Sequence, residues 1–234
     1  MLLSEKYNCI FLKTPCTGST TVEDVLIEYI KSHNIDILSQ DHTRCKSIVS
    51  SKYERFRDVS QHVALHYMRE RISNFDDHRV IVSIRNPWER AVSLYYLYKS
   101  RKGEDNIGIQ RQLVAKANKL DFNEWVKCVA KIMPDLLQQQ QYYRNIHNEY
   151  YTDNVIRYEN LIADIKTVVS NILDISESEV VNIPQRARHR PEKPNHYSLS
   201  YTQYTNHLIS ELCQEDIDTF NYQFWRPMQL TTSY

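Results

Sequence analysis

Residues 7–30 read YNCIFLK TPCTGSTT VEDVLIEYI and contain the change from a short strand to an amphipathic helix. The first seven residues are mostly apolar or aromatic over the length of one strand. The polar turn that follows supplies hydroxyl groups where a helix would begin. The last nine place apolar side chains three or four positions apart, on one helix face: Val22, Val25, Leu26, Tyr29 and Ile30. The segment predicts a strand, a loop and a helix.

The loop between this strand and helix is a candidate anion site. The first N–H groups of a helix have no intrahelical partner and carry a partial positive charge, which suits a phosphate or sulfate group. The chain has only three glycines, at positions 18, 103 and 108, so it contains neither GxGxxG nor GxxxxGK[ST]. Gly18 lies inside the loop, where it allows close approach of the backbone to a ligand. On this segment alone, ordinary helix capping explains the hydroxyls equally well.

Strand and helix patterns alternate along the rest of the chain. Residues 78–84, HRVIVSI, and 154–158, NVIRY, have strand patterns, and each precedes a helical pattern. Residues 135–151 and 204–220 are each compatible with a helix, whereas residues 34–60 show no clear pattern and 62–72 fit either type. Alternation of this kind predicts an α/β three-layer sandwich, with a central, mainly parallel sheet and helices on both faces. No linker divides the chain, which predicts a single domain over residues 1–234.

Composition excludes several function classes. The 29 basic and 29 acidic residues give a formal net charge of zero, which argues against nucleic acid as a partner. No segment approaches the roughly 20 apolar residues that a membrane span needs. The five cysteines form no CxxC pair, so neither a zinc site nor a disulfide framework is indicated. Together with an N-terminus unlike a secretory signal, these features predict a cytoplasmic protein with reduced thiols.

A second candidate segment is residues 81–96, IVSIRNPWERAVSLYY. Arg85 stands at the carboxyl end of a predicted strand, which is where open α/β sheets bind ligands. Ser93 follows two helical turns later and reaches the same ligand only if the chain folds back at Asn86-Pro87. By itself, the pattern also fits a surface arginine and an ordinary helix serine.

Taken together, these segments resemble the sulfotransferases that use 3′-phosphoadenosine 5′-phosphosulfate (PAPS), especially the carbohydrate-type branch with the heparan sulfate 2-O-sulfotransferases. Residues 15–21, PCTGSTT, are similar to the family's P-K-[TS]-[GA]-[GST]-[ST]-[ST] loop. Residues 85–93, RNPWERAVS, match its R-[DN]-P-x-x-R-x-x-S block. Residues 155–161, VIRYENL, and 216–224, DIDTFNYQF, resemble two further landmarks. The four segments occur in the family's order across nearly the whole chain.

The resemblance implies a P-loop-like fold and an enzyme that moves a sulfuryl group from PAPS to a hydroxyl or amine of a glycan or small molecule. It implies no metal, and adenosine 3′,5′-bisphosphate (PAP) as the second product. The loop would bind the 5′-phosphosulfate, while Arg85, Ser93 and the basic run at 186–190 would bind the 3′-phosphate or the acceptor. The donor-binding residues implied in this way are Cys16, Thr17, Gly18, Ser19, Thr20, Thr21, Arg85, Ser93, Arg186 and Arg188.

The loop departs from the family at Cys16, which stands where the family has a lysine or arginine. That cation stabilises charge on the leaving group, and a thiol cannot replace it. Lys13, three residues earlier, is the candidate substitute, and a later arginine is the alternative. If neither residue supplies the cation, the protein transfers sulfuryl groups slowly, or it binds PAPS or PAP without turnover.

The acceptor hydroxyl must lose a proton during transfer, and histidine is suited to accept it near neutral pH. The carbohydrate branch has a Gly-His segment between its two phosphate motifs, and Gln61-His62 occupies that place here. His62 is therefore the candidate general base, with His66 as the runner-up. A P-loop-type kinase is the alternative enzyme class, although the missing loop lysine and the lack of an evident magnesium-binding strand count against it.

Overall fold

A computed structural model of the chain describes residues 1–31, 37–39, 62–72, 74–101, 108–152, 154–181, 183–184 and 193–225. The strands are β1 (Leu2–Ser4), β2 (Cys9–Leu12), β3 (Ile37–Ser39), β4 (Arg79–Ile84) and β5 (Asn154–Arg157). The helices are α1 (Ser19–Lys31), α2 (Leu65–Arg69), α3 (Pro87–Lys99), α4 (Gly108–Ala117), α5 (Phe122–Ile132), α6 (Gln140–Tyr143), α7 (Leu161–Leu173), α8 (Gln203–Leu212) and α9 (Gln214–Phe220).

The five strands form one sheet in the order β3-β1-β2-β4-β5. The pairs β2–β4 and β4–β5 are parallel, whereas β1 is antiparallel to both β2 and β3. In the parallel part, Leu12 lies opposite Val82, and Ile84 lies opposite Arg157. The α/β class predicted from the sequence is confirmed. The sheet is mixed, and its parallel half contains the strands that precede both candidate segments.

The chain divides into two compact units, residues 1–85 with 140–187 and residues 86–139 with 188–234. In the first unit, alternate side chains of the sheet such as Phe11 and Ile81 join the apolar faces of α1 and α7 in one core. Their neighbours on the opposite face, such as Ile10 and Val82, are also fully buried. Burial on both faces is what a parallel sheet requires.

The second unit is helical and rich in aromatic side chains. Tyr95 of α3 packs edge-on against Phe122 and Trp125 of α5, with ring centroids 5.8 and 5.6 Å apart. Asp121 caps α5 as its position before the helix predicts, because its carboxylate accepts from the Glu124 N–H at 2.9 Å. Among the described residues, no helix is both long enough and apolar enough to span a membrane.

Two segments with helical patterns form less helix than their sequences predict. Residues 204–220 give two helices, α8 and α9, which meet at the non-helical Cys213. The buried Sγ of Cys213 contacts the Leu137 carbonyl at 3.3 Å, a tertiary contact that periodicity does not encode. Residues 135–151 contain the short α6 and an antiparallel bridge between Arg144 and Tyr150. Bridge pairing satisfies backbone groups there without a helix.

Arg90 is the largest polar side chain in the core of the second unit and is 1% exposed. Its guanidinium donates to the carbonyls of Leu136 and Leu137 at 3.1 and 2.8 Å. Arg90→Met should lower the free energy of unfolding by about 2–4 kcal/mol, because it leaves buried carbonyls unsatisfied. Urea denaturation measures this. Arg111→Met on the exposed face of α4 is the control and should change stability by less than about 0.5 kcal/mol.

Candidate functional site

The candidate site lies at the carboxyl edge of the parallel strands in the first unit. Lys13 follows β2, Arg85 follows β4 and Tyr158 follows β5. The parallel register of these three strands brings the residues after them to the same edge of the sheet. The segments after β2 and β4 are the two that the sequence singled out, and their side chains meet there.

The loop from Lys13 to Gly18 leads directly into α1. The Gly18 carbonyl accepts the N–H groups of Thr21 and Val22 at 2.8 and 3.3 Å, so Gly18 caps the helix. The N–H groups of Ser19 and Thr20 precede these two at the N-terminus of α1 and have no acceptor within the helix, as an anion site requires. Cys16, Gly18 and Thr20 are partly exposed. These three residues form the surface of the loop that an anion can reach.

The other loop hydroxyls are buried within the protein. Thr17 Oγ1 donates to the Thr14 carbonyl at 2.8 Å and lies 2.6 Å from Ser83 Oγ of β4. Because the single hydroxyl proton of Thr17 is directed to Thr14, Ser83 is the donor in the second contact. Ser19 and Thr21 are each 5% exposed. Thr17 thus binds the loop to the sheet, whereas Thr20 has the better access to a ligand.

Arg85 connects the loop to the strand edge. Its side chain is 3% exposed, and its Nη1 donates to the Cys16 carbonyl at 3.1 Å. The guanidinium lies over the Tyr158 ring, 3.6 Å from the ring centroid, a cation–π distance. These contacts fix the guanidinium beside the loop. A contact between Arg85 and a nucleotide phosphate stays a prediction.

Two loop residues adopt left-handed backbone conformations, Cys16 with φ +65° and Gly18 with φ +76°. Glycine accepts this conformation readily, but a residue with a Cβ is strained in it. The space around Gly18 is also tight, since an added Cβ would lie 3.2 Å from Leu161 and from Tyr158. Gly18 is therefore required twice, for its φ and for its packing against the segment that follows β5.

Lys13, the predicted substitute for the loop lysine, forms a buried ion pair with Glu23 of α1. Their side chains are 2% and 1% exposed. A buried charge needs such a partner because desolvation costs several kcal/mol per ion. The pair links the residue after β2 to the second turn of α1, so it spans the loop. The catalytic role of Lys13 stays a prediction. In this structure its ammonium pairs with the Glu23 carboxylate.

His62, the predicted general base, forms a hydrogen bond with Lys13. Its Nδ1 lies 2.7 Å from the Lys13 carbonyl oxygen. A carbonyl only accepts, so Nδ1 carries the proton and the lone pair of the neutral ring is on Nε2. His66, the runner-up, is exposed on α2. Of the two histidines, His62 is the one fixed to the loop.

The remaining predicted residues fall elsewhere. Ser93 lies on α3 in the second unit and is partly buried. In the same motif, Asn86 caps α3 by accepting from the Trp88 and Glu89 N–H groups, and Arg90 has the structural role described above. Arg186 and Arg188 lie outside the described residues. Within the parts of the chain that the structure covers, no group of three or more His, Cys, Asp or Glu side chains is placed to hold a metal.

Sequence reasoning missed three contributors to this site: Ser83, Tyr158 and Glu23. Ser83 had a signal, because it is the polar residue near the end of the apolar run VIVSI. Tyr158 lies inside the matched segment VIRYENL, whose role at the loop was not evident from its residues. Glu23 reads as an ordinary acidic residue near the start of a helix, and its burial depends on the tertiary fold.

Comparison with known protein families gives a match over most of the chain. The model of the sulfotransferase family matches residues 1–223, nearly the whole chain. Neither the curated proteins nor the solved structures contain a match.

The two left-handed glycines provide a test of the loop packing. Gly18→Ala and Gly108→Ala both force alanine into a positive φ, but only the first also brings a Cβ within 3.2 Å of other side chains. Gly108→Ala should cost about 1–2 kcal/mol of unfolding free energy from φ alone. Gly18→Ala should cost at least about 1 kcal/mol more, from overpacking. Equal losses in urea denaturation would contradict the close packing of Gly18 on Tyr158 and Leu161.

Proposed function

Because the chain belongs to the sulfotransferase family, we propose that it moves a sulfuryl group from PAPS to a hydroxyl or amine of a glycan or small-molecule acceptor. One observation carries the proposal. A Gly18-capped helix N-terminus lies at the carboxyl edge of the parallel strands, joined by the Cys16 carbonyl to the buried guanidinium of Arg85. Backbone N–H groups and a fixed cation together suit a nucleotide with anionic groups at both its 3′ and its 5′ position.

In this proposal the loop binds the 5′-phosphosulfate through the first N–H groups of α1 and the Thr20 hydroxyl. Arg85 takes the 3′-phosphate together with Ser93, and Arg186 and Arg188 add positive charge. Support for the loop comes from its exposure, since Cys16, Gly18 and Thr20 are its accessible residues. Support for Arg85 comes from its fixed position after β4, where ligands of open α/β sheets bind.

The transfer step is an in-line displacement at sulfur. A bond forms between the acceptor oxygen or nitrogen and sulfur, while the bond from sulfur to the 5′-phosphate oxygen breaks and PAP leaves. The acceptor proton passes to Nε2 of His62, the atom that holds the lone pair when Nδ1 donates to Lys13. Lys13, three residues before Cys16, supplies the cation for the leaving group. Positioning and charge stabilisation contribute most of the rate in such transfers.

A glycan acceptor is the finer part of the proposal, and it rests on the likeness of residues 15–21 and 85–93 to the carbohydrate-type branch. Incubation of the full chain with ³⁵S-labelled PAPS and either desulfated heparan sulfate or a simple phenol tests it. Label should enter the polysaccharide and not the phenol. Label in the phenol alone would assign a small-molecule acceptor. Hydrolysis of ATP with Mg²⁺ but no sulfuryl transfer would favour the kinase alternative.

A second candidate function, binding of PAPS or PAP without turnover, is favoured by Cys16. Removing one preorganised cation typically lowers a rate by a factor of about 100 to 1,000. If no residue supplies the cation, Cys16→Lys should raise the transfer rate, as measured by label transfer at saturating donor. If Lys13 already supplies it, the new lysine should crowd the site and lower the rate, and Lys13→Ala should abolish transfer. If neither variant changes the rate, the assignment of the cation is wrong.

Arg85→Ala tests the 3′-phosphate contact. Loss of a charge-assisted hydrogen bond, worth about 1.5–3 kcal/mol, should weaken binding of PAP about 10- to 150-fold. Binding of adenosine 5′-monophosphate, which lacks that phosphate, should change much less. Calorimetry measures both. An equal loss for the two nucleotides would mean that Arg85 acts only by ordering the loop through the Cys16 carbonyl.

His62→Ala tests the general base. The variant should lower kcat by a factor of about 100 or more, while the Kd for PAP changes little, because a base acts on the acceptor proton. His66→Ala is the matched control on the exposed face of α2 and should keep normal turnover. Normal turnover in His62→Ala with loss in His66→Ala would transfer the role to His66.

A further inference from the structure

We propose that Glu23 is a positioning residue for His62 and that it acts through Lys13. The consequence for turnover rests on the sulfuryl transfer proposed above, whereas the effect on the His62 ring does not. Glu23 lies on α1, on the far side of the loop from β2, and has no part in the chemistry assigned above. Its contact is with the Lys13 ammonium, and the Lys13 carbonyl accepts from His62.

The chain of contacts runs from a carboxylate through one residue to an imidazole. The side chain of Lys13 is bound to Glu23, and its backbone carbonyl lies 2.7 Å from His62 Nδ1. Because both members of the ion pair are almost fully buried, the ammonium cannot move to water without disrupting the core. Lys13 therefore connects Glu23, through its side chain, with His62, through its backbone carbonyl.

The carbonyl direction matters because it selects the tautomer of His62. A ring that donates from Nδ1 keeps its lone pair on Nε2, and a ring that loses this acceptor populates both tautomers and other orientations. A general base must hold its acceptor atom within hydrogen-bond reach of the proton that it removes. Glu23 thus contributes to the orientation of the base without contacting substrate.

The test compares Glu23→Gln with Glu28→Gln. Both residues are glutamates of α1, but Glu28 is exposed while Glu23 is buried on Lys13. The first readout is the ¹⁵N NMR spectrum of the His62 ring in the full chain, assigned by comparison with His62→Ala. Glu23→Gln should weaken or remove the signature of a ring protonated at Nδ1. Glu28→Gln should leave it unchanged.

The second readout is kinetic. Glu23→Gln should lower kcat at least about tenfold while KM for PAPS stays within about threefold, because the base is misplaced and the donor site is intact. Glu28→Gln should keep the wild-type values.

Three results would overturn the proposal. The first is an unchanged His62 spectrum in Glu23→Gln, the second is a spectrum that changes while kcat keeps its wild-type value, and the third is equal changes in Glu28→Gln. If Glu23→Gln does not fold, Lys13→Met combined with Glu23→Leu removes both charges at similar volume, which buried pairs often tolerate. In this variant an unchanged His62 spectrum refutes the proposal, and a lost Nδ1–H signature supports it. A wild-type chain without transfer activity would refute the proposed function alone, since the NMR comparison needs no turnover.

Discussion

The Arg85 guanidinium, held between the Cys16 carbonyl and the Tyr158 ring, joins the three chain segments that leave the parallel strands. The loop after β2, the turn after β4 and the turn after β5 all meet through this one side chain. Their meeting depends on parallel pairing, because only parallel neighbours end at the same edge of a sheet. The left-handed Cys16 is bound to Arg85 through its carbonyl.

The charges at this edge are arranged unusually for a site that would bind a donor with several negative groups. Cys16 has a thiol where the family has a cation, and the positive charge of Lys13 is matched by Glu23. Among the described residues, attraction for an anion then comes from the N-terminus of α1 and from Arg85. The buried Lys13–Glu23 pair anchors the loop to α1 and does not add to the attraction for an anion.

The sequence predicted the α/β class, the strand–loop–helix at residues 7–30 and the attachment of Arg85 to a strand end, because each depends on local patterns. Hydrophobic periodicity identified β4 and β5 within one residue of their ends. The antiparallel β1 and β3 were missed, since three-residue strands are too short to show a period. The break at Cys213 and the shortness of α6 follow from tertiary contacts and bridge pairing that periodicity cannot register.

The same contrast between local patterns and tertiary contacts separates the residues of the candidate site. Motif positions such as Gly18 and Arg85 were found because their chemistry follows from residue type and spacing. Three other residues were not identified from the sequence: Tyr158, Ser83 and Glu23. Tyr158 and Ser83 act by contacts between segments far apart in the chain, and Glu23 acts by burial that only the folded protein shows. The motif R-N-P-x-x-R also carries a structural role that the resemblance did not imply, since Arg90 binds two backbone carbonyls in the second unit.

The claim that this edge of the sheet is a site for a 3′-phosphorylated nucleotide is tested most directly by calorimetry on the unmodified chain. Titration with PAP, adenosine 5′-monophosphate and ATP with Mg²⁺ compares the relevant phosphate patterns. We expect one PAP per chain, bound at least about tenfold more tightly than the monophosphate, as one additional charge-assisted hydrogen bond requires. Equal affinity for PAP and the monophosphate, or binding of ATP with Mg²⁺ alone, would contradict the account.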